Sequence, residues 1–288
     1  MKTLMSTVVG LALWLVSSGA VALESAKPYS IDRTYTHSIT SSINGKEYEL
    51  YVRVPRSYET SDKRYPLAVL NDTGASFPTV SGVLQLLTVK DMQEIVAVGI
   101  SYSVGDDGGV SRTRDYTPTF APDETSFHSV ASKQASGHAS DYLAFIERDV
   151  FPFLASQYRL NMDSKALIGH SFGGLLGAYA LVTKPTLFDH YIIGSPSLWY
   201  DDKVMFDLER KYAKSNNMMP ANVYMYVGDK ENNNTHSMVD DLKQYEAQLR
   251  QRQYKGLSLQ VEIVPEATHH SAFPHLLTYA LPRVFPLD

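Results

Sequence analysis

In the stretch IGHSFGGLLGAYAL, residues 168–181, a serine stands between glycines two residues away on either side, Gly169 and Gly173. A serine hydroxyl becomes a nucleophile only if a nearby base takes its proton and only if it stands clear of the chain. A strand-to-helix turn tight enough to expose Ser171 crowds the positions two residues off, so minimal side chains suit those sites. The helix that follows would aim its N-terminal N–H groups at the same place, where an oxyanion develops. The plainer use of these residues is a helix start at which Ser171 satisfies backbone N–H groups.

A base for such a serine comes late in the chain, after the last strand of the sheet. Residues 265–274, PEATHHSAFP, offer His269 and His270 there. The acid that orients the imidazole belongs between serine and histidine. Residues 227–234 read VGDKENNN, with Asp229 and Glu231 just beyond an apolar run. Glu231, three residues past Gly228, is preferred; Asp229 is the alternative, and Asp240 a more distant one. The order serine, acid, histidine is harder to obtain by chance than any one motif. A metal centre on His269, His270 and His275 would be another use of these side chains. It lacks an H-E-x-x-H pattern, cysteine and a carboxylate cluster at ligand spacing.

Positioning these groups requires a sheet. Residues 47–54 (EYELYVRV) alternate with period two, whereas 65–70 (YPLAVL) and 95–100 (IVAVGI) are almost wholly apolar, as strands covered on both faces are. Further strands are expected at 166–168, 190–193, 223–227 and 257–264, and helices at 80–92, from the Ser171 turn to about 182, at 238–251 and near 275–285. Residues 141–158 have helical apolar spacing, which Pro152 should kink or divide. Residues 101–140, rich in Gly, Ser, Thr and Asp, read as an irregular excursion of the kind that forms lids or binding walls. Residues 201–217 look too short for a large lid, which predicts an open cleft. Strands alternating with helices indicate a mostly parallel sheet with right-handed crossovers.

The 288 residues suit one α/β domain with ample core. Residues 1–22 combine Lys2, an apolar run and small residues at the end, the pattern of a secretory signal, so residues 23–288 are expected to form a single domain. That run is too short to span a bilayer. Export without a single cysteine means that no disulfide staples the fold, which suits the bacterial periplasm. A net charge of −5 with no basic cluster argues against a nucleic-acid partner.

Taken together, these residues resemble the α/β-hydrolase superfamily, and within it the putative-esterase family of esterase D, enterochelin esterases and periplasmic siderophore esterases. RYPLAVLND (64–72), VGISY (98–102), RTRDYTP (112–118), GHSFGG (169–174), GSPSLWYDD (194–202), VGDKE and HHSAFP occur in the family's order. The set RDYTP, GHSFGG and SPSLWY is the specific part and points to the siderophore-esterase-like subgroup. The resemblance implies an α/β-hydrolase fold, a mostly parallel central sheet with helices on both faces. It implies Ser171 as nucleophile and His269 as base, because the family writes its histidine two residues before a serine; His270 is the alternative. Oxyanion donors would be the Phe172 amide and one from the loop after Asp72, at Thr73 or Gly74. The family favours Asp-Gly there, and this chain has Asp72-Thr73-Gly74. Some members of the subgroup work with a Ser–His dyad, which leaves Glu231 open.

The expected activity is acyl transfer to water from a small-molecule ester, through an acyl-enzyme, with no cofactor and no metal. Arg112 and Arg114 are candidates to bind carboxylate or catecholate oxygens, although Arg114 could instead be structural. Trp199 and Tyr200 are candidates to wall an acyl pocket, although core packing would also use Trp199. Siderophore lactones, simple acyl esters and thioesters all fit an open cleft. A ligand-binding protein that keeps the fold without catalysis is the rival from another class. A monomer or weak homo-oligomer, not inserted in a membrane after signal removal, completes the expectation.

Overall fold

The computed structural model describes residues 27–233 and 236–287. The expected signal segment lies outside them. Residues 27–30 carry no regular secondary structure, and Ile31–Asp288 form one compact unit.

Among the described residues, eight strands build one sheet in the order β1-β2-β4-β3-β5-β6-β7-β8. β1 (Thr34–Thr40) and β2 (Glu47–Arg53) pair antiparallel, and β2 pairs antiparallel with β4 (Val96–Ile100). From there β3 (Tyr65–Leu70), β5 (Leu160–His170), β6 (His190–Gly194), β7 (Met218–Gly228) and β8 (Lys255–Val264) run parallel to β4. Alternate strand residues enter two separate cores, as a period of two requires. Val69, Val98, Leu167, Ile193 and Met225 face the larger core, whereas Leu70, Ala97, Ile168, Ile192 and Tyr226 face the smaller. Helices α4 (Ala139–Phe145), α5 (Phe151–Gln157), α6 (Phe172–Thr183), α7 (Tyr200–Ala213) and α8 (Met238–Arg252) contribute to the first. α1 (Thr73–Leu87) and α9 (Ala272–Val284) cover the second.

The apolar strands and the helices after Ser171, at 238 and at the end of the chain form as expected, with longer bounds for β5 and β7. The helix expected at 80–92 instead starts at Thr73 and takes Pro78 into its first turns. The excursion at 101–140 is more ordered than its composition suggested. It holds α2 (Gly108–Tyr116) and the short α3 (Val130–Gln134). Asp107 caps α2 by accepting N–H bonds from Gly109 at 2.9 Å and Val110 at 3.2 Å, which offsets two adjacent helix-disfavouring glycines. Residues 141–158 do not divide: right-handed helical dihedrals run unbroken from α4 through a π-helical turn, Ile146–Val150, into α5, and this wider turn directly precedes Pro152, which lacks the N–H a regular helix would need there. Strand β1 was unforeseen because its largely exposed edge position leaves little hydrophobic alternation. Helix α7 fills most of the segment expected to be merely short.

Candidate active site

Four loops meet at the carboxyl ends of the parallel strands, where open α/β sheets bind ligands. The first is the turn from β5 to α6. Ser171 sits on it at φ 61° and ψ −118°, a conformation that costs a non-glycine residue on the order of 1–3 kcal/mol and needs surrounding bonds to enforce it. Ser171 N–H donates to Gly194 O at 2.9 Å, and its carbonyl accepts from Leu175 at 2.9 Å and Ser197 at 3.2 Å. The turn's steric demand differs from the symmetric one expected. A Cβ on Gly169 would meet Gly173 O at 2.1 Å, and one on Gly174 would meet Gly194 O at 2.7 Å. One on Gly173 would come no closer than 3.4 Å to anything. Gly169 and Gly174 therefore carry the constraint. Phe172 opens α6, so its amide is one of the helix's unpaired N-terminal donors.

The second and third loops supply an imidazole and a carboxylate. His269 lies in the turn after β8 that leads into α9, and its Nδ1 donates to Glu231 Oε2 at 2.6 Å. Glu231 lies in the turn after β7, and its side chain is 1% exposed. Its other oxygen, Oε1, accepts from Gly228 N–H at 2.7 Å and from Ser195 Oγ at 2.7 Å. Burial pushes the Glu231 carboxyl up, but the bonds from His269, Ser195 and Gly228 outweigh it and hold the group below its ordinary value. The turns are tied together, because Lys230 N–H donates to Ala267 O at 3.1 Å and Asp229 N–H to Val264 O at 3.0 Å. Asp229 and Asp240 are exposed, and Asp240 accepts from Asn232 at 3.0 Å. Of the three candidate acids it is Glu231 that meets a candidate histidine, and of the two histidines it is His269. His270 is exposed beside it, ring centroids 5.6 Å apart.

The fourth loop follows β6. Its Ser195 and Ser197, unnoticed in the sequence, orient Glu231 and face Ser171, whose Oγ lies 3.5 Å from Ser197 Oγ. The signal was available: both belong to GSPSLWY. His170, the residue before Ser171, belongs to the GHSFGG motif, and no local pattern marks it. The His170 ring is buried and packs 4.5 Å from that of His269, and burial, then the neighbouring His269, lowers its pKa to about 3.

Ser171, His269 and Glu231 line one cavity of about 340 Å³ together with Arg112, Phe127, His128, Phe172 and Trp199. Arg112 reaches it, but its guanidinium is already held by Asp72, at 2.7 Å and 3.0 Å, and sits 5.1 Å over the Phe172 ring. Arg114 does not line it. It is bound inside the protein by Asp115, Asp106, Ser103, Ser111 and Tyr48, so the expectation that it meets substrate is corrected: a buried guanidinium needs its donors satisfied locally. Trp199 does wall the cavity, whereas Tyr200 is buried. Thr73 is turned onto Gly99 of β4, Gly74 is exposed, and neither is part of the cavity lining. His275 pairs with Glu262 at 3.4 Å and stacks on Tyr279 rather than joining the other histidines. Among the described residues, no three of His, Cys, Asp and Glu form a group that could hold a metal.

A mostly parallel sheet with a strained serine at the β5–α6 turn and an acid–histidine pair from later strands defines an α/β-hydrolase fold. Residues 41–284 match the family described as Putative esterase, and the chain belongs to it. It is a carboxylic ester hydrolase of the serine type. Among its relatives is ferri-bacillibactin esterase BesA of Bacillus subtilis, 25% identical over 88% of this chain and 90% of that one. Siderophore enterobactin esterase of Emericella nidulans is 30% identical over 57% of this chain and 58% of its own length. A solved IroE-like serine hydrolase from Shewanella oneidensis superposes with a TM-score of 0.78 at 26% identity, over 88% of this chain and 82% of that one.

Proposed function

We propose that Ser171, His269 and Glu231 are the catalytic triad of an exported esterase acting on siderophore lactones or related esters. The observation that carries this reading is the 2.6 Å bond from His269 to a buried, charged Glu231 at the rim of the cavity that holds the strained Ser171. On approach of substrate, Ser171 Oγ turns from Ser197 to His269 Nε2, since catalytic hydrogen bonds are commonly long before substrate binds. His269 takes the hydroxyl proton as Oγ attacks the ester carbonyl. Glu231 stabilises the imidazolium, and the Phe172 amide receives the oxyanion. The proton passes to the leaving alcohol, and water attacks the acyl-enzyme by the same route in reverse.

The siderophore substrate rests on the names of BesA and the Emericella enzyme, and on the motif set RDYTP, GHSFGG and SPSLWY. Residues 1–22 carry the export reading and, with the absence of cysteine, the periplasmic one. Among the described residues no helix is long and apolar enough to cross a membrane. A fluorophosphonate probe should label the protein at Ser171 and fail to label Ser171→Ala. Labelling that survives this substitution would overturn the assignment. Hydrolysis of a panel running from short acyl esters through thioesters to trilactone siderophores, iron-free and iron-loaded, tests the substrate.

A further inference from the structure

Trp199 is a shared wall. Its indole stacks on the His236 imidazole, centroids 4.2 Å apart and planes at 17°, and both residues line the Ser171 cavity and also a second, larger one of about 650 Å³. The second cavity is bounded by Phe120, which is 61% exposed, and by Asp123, Glu124, Asp201 and Asp202. Among the described residues Lys203 is the one lysine or arginine in that wall, and its Nζ is held by Asp241 at 2.7 Å. Two of the carboxylates are anchored in place: Glu124 accepts the Ser126 N–H at 3.0 Å, and Asp201 the Thr119 hydroxyl at 2.6 Å. Around Ser171 the balance differs, with Arg112 neutralised by Asp72 and Lys230 paired with Glu266. Aromatic surface together with several carboxylates in one cavity is the chemistry that receives an ammonium group.

Resting on the esterase reading above, we infer that the second cavity is a specificity subsite, which seats the non-reacting arm of the ester and takes an arm ending in an ammonium group. Arms bearing carboxylates or deprotonated catechols are disfavoured there by the same charges. The two cavities share Trp199 and His236, so an ester centred on Ser171 and a remote group beyond the indole can belong to one molecule.

The test compares para-nitrophenyl esters of equal reach and different terminal charge: the aminohexanoate, the hydrogen adipate and the heptanoate. At low salt, kcat/KM for the ammonium ester should exceed that for the carboxylate ester on the order of tenfold, and the ratio should fall toward one in about 1 M salt. Asp123→Asn combined with Asp202→Asn should lower the ratio about threefold. This pair spares the anchoring Glu124 and Asp201, and asparagine tolerates the left-handed φ of 49° at position 202. Because the readout is a ratio within one protein, partial loss of folded enzyme does not imitate the effect. A ratio near one in the unaltered protein, or a ratio unmoved by the double substitution, overturns the inference. Failure of the unaltered protein to turn over para-nitrophenyl acetate would instead sink the esterase reading beneath it.

Discussion

Glu231 commits each carboxylate oxygen differently: one to His269, the other to Ser195 and the Gly228 amide. Only a carboxylate accepts all three bonds, because an amide presents a donor on one side. Glu231→Gln should therefore fold and keep Ser171 labelling detectable, but lose about 10²–10⁴ in kcat through the wrong imidazole tautomer. Steady-state kinetics on a nitrophenyl ester checks this, and near-normal kcat would show that Ser171 and His269 work as a dyad. Ser195→Ala removes one of the two anchors on Oε1 and should lower kcat about tenfold with little change in KM.

At the scale of elements, the glycines of the β5–α6 turn and of helix α1 make opposite predictions. Gly169→Ala places a methyl 2.1 Å from a backbone oxygen, which nothing but movement of the turn can relieve. Its expected cost is about 3 kcal/mol or more, together with loss of activity. Gly82 is exposed in α1, and a Cβ there meets nothing within 4 Å. Gly82→Ala should raise stability by about 0.5–1 kcal/mol. Urea unfolding of the two variants beside the parent protein reads both. Equal and small effects would mean that the turn is not as tightly packed as its geometry indicates.

Across the whole molecule, most of the shifted groups that titrate between neutral and acid pH share a direction. Burial lowers the pKa of His128, His170 and His190, and the net effect of its partners lowers that of Glu231. Burial acts oppositely on Asp115. For a group whose folded pKa is depressed, the unfolded chain binds the proton first, so stability rises with pH across the interval between the two values. The histidine contributions are complete above the ordinary value of 6.5 and fade as pH falls, down to about 3 for His170. That of Glu231 fades below its ordinary 4.5. Denaturant midpoints should therefore fall steadily from pH 7 to 4. His170→Phe should flatten that fall, by at most about 1.4 kcal/mol per pH unit. A midpoint independent of pH over this range would contradict the burial of these groups.

How much was legible follows from the range of each interaction. The strands YPLAVL and IVAVGI, the helix after Ser171, and the serine, acid and histidine in their chain order are written locally in hydrophobic period and motif, so all of the sheet but its β1 edge, the Ser171 turn and the candidate residues were legible before folding. Composition misled at 101–140, where a single cap bond pattern at Asp107 turns a glycine-rich stretch into a helix. Of Glu231 and Asp229, two residues apart on the same turn, it is Glu231 whose carboxylate faces inward to Gly228, Ser195 and His269. Arg114 is held inside by a network drawn from residues 48 to 115, and two cavities share a wall where Trp199 stacks on His236. Only the tertiary structure could decide these, because each depends on side chains distant in the chain converging within a few ångströms, and no local pattern encodes that convergence.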